Sequence, residues 1–381
     1  RKSLRSLAEQ SRQTRQGYML RDRLAVNGYD WWWHSLAATN RDTGEREPFF
    51  IEYYITNPGL GGKDPVFGQL PGPSGEKQRP SYGLVKCGKW GAGKAQLHNF
   101  YPITEVSADP VKMDVAIGPN TAKETHIKGS VEVSATTASR HPEWMSDAGS
   151  MSWDLNVTKR VTFSLGPGAS FLFRWLNAFQ MFWHVQGMKS EYTGTITYNG
   201  VVYDVTPEGS CGYQDKNWGS DFTSPWLWLN CNNWTDEADA PVDASLDIGG
   251  GQPMLFGRPL VGKKLLGALW RQGKMYVFSF DRVFLQSQKW QCREDDTHLH
   301  WDIEMKNAMY AMRVDFRCPK EKMILVNYEN PKGEKNHNRL WNGGHAEGAL
   351  SLKNRWTGKE VVRLKGTLGG CEYGVADQIE T

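Results

Sequence analysis

Four polar residues interrupt aromatic runs in this sequence and are the first candidates for chemistry. His34 follows three consecutive tryptophans, and Asp215 opens the run Asp-Lys-Asn-Trp. Asp154 and His184 each follow a single tryptophan. A carboxyl or imidazole buried beside indole rings loses hydration, so its pKa moves toward the neutral form and it can exchange a proton near neutral pH. We expect these residues to be catalytic, although each taken alone also fits a structural hydrogen-bond network.

The 17 Trp, 15 Phe and 14 Tyr residues need a place to pack. Most are expected in cores and on sheet surfaces, and the rest can line an apolar, aromatic pocket. We expect the wall of that pocket to combine tryptophans with two polar residues that orient the ligand. These substrate-binding candidates are Trp33, Trp153, Trp183, Trp218, Trp228, Lys216 and Asn217.

One short run has the spacing of metal ligands. His298, His300 and Asp302 fall on one face of a strand, because strand side chains alternate. No second cluster completes a site, so we interpret the run as a solvated strand face and expect no metal. Phosphate-loop, dinucleotide-binding, zinc-protease and serine-hydrolase signatures are absent from the sequence. We therefore expect chemistry without a cofactor.

The elements that must position these residues are strands. After residue 23, aromatic and β-branched runs alternate with Gly, Pro, Asn and Asp, which predicts an all-β fold of antiparallel barrels or sandwiches. Residues 169–185 fit a helix or an aromatic strand, and residues 57–80 form a loop that is either a lid or surface decoration. The clearest hairpins turn at Asn199-Gly200, Gln272-Gly273-Lys274 and Thr357-Gly358.

Length and charge narrow the function classes. A chain of 381 residues exceeds one usual core, so we expect a basic arm or helix (1–23), an N-terminal β domain (24–205) and a C-terminal β domain (206–381). The 45 Lys and Arg nearly balance the 42 Asp and Glu, which argues against nucleic acid as a partner. No apolar window is long enough to span a membrane. Six scattered cysteines without a CxxC motif indicate free thiols and a cytoplasmic location, and a homo-oligomer is compatible with the sequence.

The block from Gly187 to Trp234 resembles the central signature of the tocopherol cyclase family. The residues that match directly are Lys216, Asn217, Trp218, Gly219, Trp226, Trp228, Cys231 and Asn232. Asp215 stands where that family has Glu, and Asn230 replaces its Gln. Weaker similarity surrounds the DWWWHS and SWDLNV segments, the second of which places Asp154 at an acidic position of the family.

This resemblance implies two lipocalin-like (calycin) β domains side by side and cofactor-free chemistry. A proton is delivered to a double bond, and water or an internal hydroxyl closes on the cation. Asp154 or Asp215 would be the general acid, with His34 or His184 as relay or base. Because Asp215 is one methylene shorter than the family glutamate, we expect a hydrophobic substrate other than tocopherol precursors, such as a phenolic, terpenoid, steroid or polycyclic compound.

Three alternatives stay open at this point. In a non-enzymatic carrier or sensor, every acid of the cup should be paired with a cation. In a carbohydrate-binding protein, tryptophan rings should lie flat and exposed. The Asp-Lys-Asn-Trp run also has a structural interpretation, in which Asp215 and Lys216 form an ion pair at the domain junction and Asn217 caps a turn.

Overall fold

The computed structural model describes residues 15–163, 181–222, 225–251, 254–255, 258–259, 264–279, 286–335 and 339–374. It confirms the expected all-β class, because two large, barrel-like antiparallel sheets hold most of these residues. The sheets divide the chain between Gly219 and Trp226, whereas the sequence placed the boundary after residue 205. No helix in the described ranges is long and apolar enough to cross a bilayer.

The first sheet covers Tyr29 to Gly219. Its strands are β1 (Tyr29–Asn40), β2 (Arg46–Thr56), β3 (Tyr82–Lys89), β4 (Ala95–Tyr101), β5 (Val106–Ala108), β6 (Asp114–Ile117), β7 (Asn120–Lys123), β8 (His126–Val133), β9 (Gly149–Phe163), β10 (Met181–Tyr198), β11 (Val201–Val205) and β12 (Gly212–Gly219). Hydrogen-bonded neighbours follow the order β4-β3-β2-β1-β11-β10-β9-β8-β7-β6-β5, and β12 pairs with both β1 and β10.

The second sheet follows from Trp226 to Gly374. Its chain segment contains β13 (Trp226–Cys231), β14 (Asn233–Thr235), β15 (Pro241–Val242), β16 (Ala244–Gly251), β17 (Met254–Leu255), β18 (Arg258–Pro259), β19 (Lys264–Arg271), β20 (Lys274–Phe278), β21 (Ser287–Glu294), β22 (His298–Lys306), β23 (Tyr310–Pro319), β24 (Ile324–Val326), β25 (Leu340–Asn354) and β26 (Glu360–Gly374). The main order is β20-β19-β16-β13-β26-β25-β23-β22-β21, while β17 and β18 form a separate ribbon.

Helical segments are short among the described residues. The α-helix Ala135–Arg140 begins where the Ser134 side chain accepts a hydrogen bond from the Thr137 amide. Of the segment 169–185, residues 181–185 belong to β10 and the rest lies outside the described residues. The 3₁₀ turns are Asp22–Ala25, Pro58–Leu60, Ile103–Glu105, Pro142–Trp144 and Lys320–Lys322.

The predicted hairpin turns are confirmed by pairing and backbone conformation. Tyr198 pairs with Val201 across Asn199-Gly200, and both turn residues have positive φ, 47° and 82°. Asn-Gly suits this geometry because Gly has no Cβ and Asn tolerates the left-handed region. The turn at Gln272-Gly273 has the same form, with φ of 49° and 82°. The third predicted turn joins β25 to β26.

The alternation of side chains divides the rings of β1 between two environments. Trp32 and Leu36 point into the core of the first sheet. Trp33 points to the opposite face and packs with Trp90 of the β3–β4 turn and Trp228 of β13. The second sheet has its own core, around Trp301 and Phe316. The molecule therefore has two sheet cores and a third aromatic layer where the sheets meet.

Candidate functional site

A row of directly opposed residues crosses five neighbouring strands on the face that meets the second sheet. His98 pairs with Lys86, Lys86 with Glu52, Glu52 with Trp33, and Trp33 with Asp215. Directly opposed side chains share a face and lie about 5 Å apart at Cβ, so the row extends for roughly 20 Å. All five side chains are buried. Two of them, Trp33 and Asp215, were candidates from the sequence.

The second sheet supplies two more acids to this layer. Glu372 of β26 lies between Trp228 of β13 and Asn342 of β25, and its Oε2 accepts a hydrogen bond of 2.6 Å from Asn342 Nδ2. Asp247 of β16 accepts a hydrogen bond of 3.2 Å from Trp228 Nε1. With Glu52 and Asp215 these residues form what we call the carboxyl cluster.

Asp215 has an asymmetric set of partners. Its Oδ2 accepts hydrogen bonds from Trp183 Nε1 at 2.7 Å and from the Tyr213 hydroxyl at 2.9 Å. Its Oδ1 is buried and has no hydrogen-bond partner within the described part of the chain. Burial raises the pKa of Asp215 to about 7, despite the two hydrogen bonds that lower it. The group can therefore be either acid or carboxylate near neutral pH.

Tyr213 connects Asp215 to the second sheet. Its hydroxyl oxygen lies 2.9 Å from Asp215 Oδ2 and 3.3 Å from Asp247 Oδ2. Burial first, and then the charge of Asp215, raise the pKa of Asp247 well above its usual value. Two carboxyls from different sheets thus share one phenol.

The other end of the cluster contains its cation. The Tyr328 hydroxyl donates to Glu52 Oε2 at 3.1 Å, and Lys86 Nζ donates to the Tyr328 oxygen at 3.4 Å. Burial raises the pKa of Glu52 and lowers that of Lys86. Burial also raises the pKa of Glu372 to about 7. Among the described residues of the cluster, four carboxyls share the single ammonium group of Lys86, and incomplete charge compensation of this kind favours the protonated form of a buried acid.

His98 lines a small cavity next to Lys86. Its Nδ1 lies 2.6 Å from the Trp144 carbonyl oxygen. Because a carbonyl only accepts, Nδ1 carries the hydrogen, and Nε2 is an acceptor that is buried without a partner. Burial lowers the pKa of His98 to about 3, so the ring stays neutral. Phe67, from the loop 57–80, also lines this cavity, so the loop covers part of the site.

Lys216 and Trp218 face the interior of the first sheet, away from the carboxyl cluster. Lys216 Nζ contacts Asp30 Oδ1, and both side chains are fully buried. Lys216 Nζ also lies 4.9 Å from the centroid of the Trp218 ring, a cation–π contact. The alternative in which Lys216 pairs with Asp215 is wrong, because consecutive strand residues point to opposite faces. Asn217, one residue on, lies opposite Trp31 and Trp183 on the cluster side.

The two candidate histidines are also on the interior face. His184 lies opposite Lys216. His34 Nδ1 lies 2.8 Å from the Tyr192 hydroxyl, which itself donates to the Tyr213 carbonyl at 3.1 Å. The His34 Nδ1–H is therefore the donor to Tyr192, and burial lowers the pKa of His34 to about 3. Neither histidine is brought to Asp215.

The expectation that Asp154 is a buried acid is wrong. Its side chain is 52% exposed, forms an ion pair with Lys128 at 2.8 Å and is hydrogen-bonded to His126 at 2.8 Å. Hydrogen bonds to these two groups hold its pKa below the usual value. Trp153 points the other way, into the core of the first sheet, where its Nε1 donates to the Tyr53 hydroxyl at 3.1 Å. The pair is therefore separate from the carboxyl cluster.

The histidine run on β22 is partly exposed. His300 Nε2 lies 2.7 Å from Asp295 Oδ2, at a strand end. In the described ranges, no three His, Cys, Asp or Glu side chains are grouped closely enough to hold a metal ion.

The structure brings together five of the sequence candidates, and sequence reasoning missed six further residues of the site. The five are Trp33, Trp183, Asp215, Asn217 and Trp228. The six are Glu52, Lys86, His98, Tyr213, Asp247 and Glu372.

Comparison with known proteins relates this sequence to a family. A family model described as tocopherol cyclase-like matches residues 85–375. A rice protein (Oryza sativa subsp. japonica) named "Probable tocopherol cyclase, chloroplastic" is 30% identical over 108 residues, which cover 27% of this chain and 22% of that protein.

Solved structures with a similar fold cover most of this chain at low identity. Kievitone hydratase from Nectria haematococca is 11% identical, with a TM-score of 0.49 over 92% of this chain and 90% of its own. CghA is 10% identical, with a TM-score of 0.49 over 93% of this chain and 90% of its own.

Proposed function

Because this chain belongs to the tocopherol cyclase-like family, we propose that it catalyses a cofactor-independent cyclisation, isomerisation or hydration of an unsaturated, mostly apolar small molecule. The general acid is Asp215. The observation that carries this proposal is a buried carboxyl with one oxygen doubly hydrogen-bonded and the other without a partner among the described residues.

Hydrogen counting gives the position of the transferable proton. Trp183 and Tyr213 both donate to Oδ2 of Asp215, so the protonated form carries its hydrogen on Oδ1. After transfer, the negative charge on the carboxylate is stabilised by the same two donors, which are already in place. A carboxyl with a pKa near the working pH combines a useful protonated fraction with sufficient acidity.

Asp247 completes this arrangement as a neutral acid. The Tyr213 hydroxyl is within donating distance of Asp215 Oδ2 at 2.9 Å and of Asp247 Oδ2 at 3.3 Å. Because it has a single hydrogen, we propose that it donates to Asp215, the nearer acceptor, and that a protonated Asp247 donates to the phenol oxygen. A carboxylic acid kept neutral by an apolar environment so that it can donate a hydrogen bond is a known device of enzymes. In this arrangement Asp247 donates a hydrogen bond to Tyr213, and Tyr213 donates one to Asp215.

The aromatic rings packed beside Asp215 are suited to stabilise a cationic intermediate. Trp33 stacks on Phe50 at 5.4 Å and meets Trp228 edge-on at 6.4 Å. Aromatic faces and nearby carboxylates stabilise the positive charge that protonation of a double bond creates. Glu52, whose Oε1 is buried and meets no hydrogen-bond donor from the residues that the structure describes, is the proposed acceptor of the proton released when a hydroxyl or water closes on that cation.

The competing functions fit these contacts less well. A carrier predicts acids paired with cations, yet Asp215 has hydrogen bonds to an indole and a phenol. Carbohydrate recognition predicts exposed ring platforms, yet Trp356 is the single largely exposed tryptophan in the described part of the chain. Both observations favour the enzyme.

The test uses a mixed library of prenylated phenols, flavonoids, terpenoids and steroids, with mass spectrometry of retained and altered compounds. We expect a product of equal mass, or one heavier by a water molecule. Asp215→Asn should lower turnover at least about 100-fold, since a general acid contributes at least that much. Asp154→Asn, a change in an exposed acid of the same sheet, is the matched control and should leave turnover unchanged. Retention without conversion by all three proteins would favour the carrier instead.

A further inference from the structure

We propose that one end of the second sheet docks on an anionic lipid membrane. This end consists of the turns at residues 271–274, 306–310 and 353–360, which we call the Trp356 end. Trp356 is 76% exposed, the highest value for a large apolar side chain among the described residues. Met309, in the adjacent turn, is 47% exposed, and Val277, whose carbonyl accepts a hydrogen bond from Asn307, is 40% exposed.

Hydrogen bonds make these turns one surface. The Arg355 amide donates to the Met309 carbonyl at 2.9 Å, and Trp356 Nε1 donates to the Ala308 carbonyl at 3.0 Å. Asn307 Nδ2 donates to the Val277 carbonyl at 3.0 Å. The indole is therefore held at the surface by its polar edge, with its apolar faces in contact with water.

The charge of the three turns is strongly positive. They contain one acid, Glu360, against six cations: Arg271, Lys274, Lys306, Lys353, Arg355 and Lys359. The neighbouring hairpin β14–β15 is acidic, but Glu237 pairs with Arg363 at 3.5 Å and Asp239 pairs with Lys365 at 3.1 Å. That hairpin also joins β26 at residues 365–367, several residues back along the strand from the Trp356 turn. Within the end itself, Lys306 pairs with Glu304 at 2.6 Å and Glu360 pairs with Arg363 at 2.7 Å. The exposed acids beside the three turns are therefore matched by nearby cations, and the turns keep a net positive charge.

An anionic bilayer fits this combination better than a protein partner. Tryptophan prefers the membrane–water interface, where its ring is buried and its N–H is hydrated or bonded, and lysines and arginines are attracted to acidic headgroups. Protein interface centres are depleted in Lys. In a two-fold dimer through this surface, cations would face cations. The docking surface stands independently of the proposed reaction, although an apolar substrate dissolved in lipid would be near an enzyme bound there.

The experiment is flotation of the full chain with vesicles of phosphatidylcholine containing phosphatidylglycerol, and with phosphatidylcholine alone. We expect binding to the anionic vesicles, weakened by salt because the attraction is partly electrostatic. Trp356→Ala should reduce the partition coefficient at least about tenfold, since interfacial binding follows buried apolar area and headgroup attraction. The double variant Lys353→Glu with Lys359→Glu should abolish the preference for anionic lipid.

Val111→Ala is the matched control, because Val111 is 58% exposed but lies in the connection between β5 and β6, away from the second sheet. It should bind as the parent chain does, and thermal melting should show that all variants are folded. Absence of binding to both vesicle types would overturn the proposal. So would equal binding of the Trp356 and Val111 variants, or a dimer in sedimentation that dissociates when Trp356 is replaced.

Discussion

The two faces of β1 and β12 each bury an aspartate, and the two aspartates differ in the partners that contact their carboxyl groups. Asp30, in the interior of the first sheet, contacts the Lys216 ammonium and accepts a hydrogen bond of 2.8 Å from the Met19 amide. Asp215, between the sheets, has neutral donors. Burial raises the pKa of Asp30 to about 6, with Lys216 opposing the rise, and that of Asp215 to about 7. Both aspartates are buried, so the chemical nature of the partner is what distinguishes the ion-paired Asp30 from Asp215, the proposed proton donor.

The largest effect should come from breaking the interior pair. Lys216→Met leaves the Asp30 carboxylate buried without its cation, which should lower the free energy of unfolding by about 3–5 kcal/mol. Urea denaturation measures this change. The double variant Lys216→Met with Asp30→Asn should recover part of the loss, and equal destabilisation by the double variant would contradict an ion-pair origin.

The pH dependence of stability distinguishes the second aspartate. The folded-state pKa of Asp215 lies above its ordinary unfolded value, so the native state binds more protons and the free energy of unfolding falls as pH rises from about 4 to 7. Asp215→Asn removes this contribution and should be more stable than the parent at pH 8, by roughly 2–4 kcal/mol as an upper range. Thermal or urea unfolding at pH 4.5 and pH 8 checks it. A variant with an unchanged pH slope would mean that Asp215 does not titrate in this range.

A smaller shift should follow from removing one donor to Asp215. In the proposed reaction the protonated form of Asp215 is the active one, so activity should fall as pH rises through about 7. Tyr213→Phe removes a hydrogen bond that stabilises the carboxylate, so the pKa of Asp215 rises and the fall in activity moves to higher pH. The rate should also drop about tenfold, as expected for the loss of one hydrogen bond to a charged group. The pH profile of kcat/KM measures both effects, and a move to lower pH would argue that Tyr213 does not donate to Asp215.

Local chemistry explains why the strands were predictable and the site only in part. The Asn199-Gly200 turn is fixed by residues that tolerate positive φ, whatever the rest of the chain does. Glu52, Lys86 and His98 become neighbours through cross-strand register, which a single sequence does not reveal. On a strand with one buried face, polar residues at alternate positions indicate a solvated outer face. Here that outer face is covered by the second sheet.

The error at Asp154 has a different origin. In SWDLNV, Trp153, Leu155 and Val157 are buried while Asp154 and Asn156 are exposed, so the period-two pattern itself predicted an outward carboxyl. The position of Asp154 next to Trp153 and the family resemblance both suggest a buried acid, and the alternation of side chains along the strand overrides them. In β12 the same alternation correctly assigns side chains to faces: Tyr213, Asp215 and Asn217 share one face, while Gln214 and Lys216 share the other.

The cross-strand row draws each of its five side chains from a different strand, and this restricts how the site can change in evolution. A substitution at one row position alters a single group and leaves the other four in register. Insertion of one residue within β2 or β3 would instead turn every following side chain of that strand to the other face. New specificities should therefore arise by replacement inside the strands, while changes in chain length are confined to the turns.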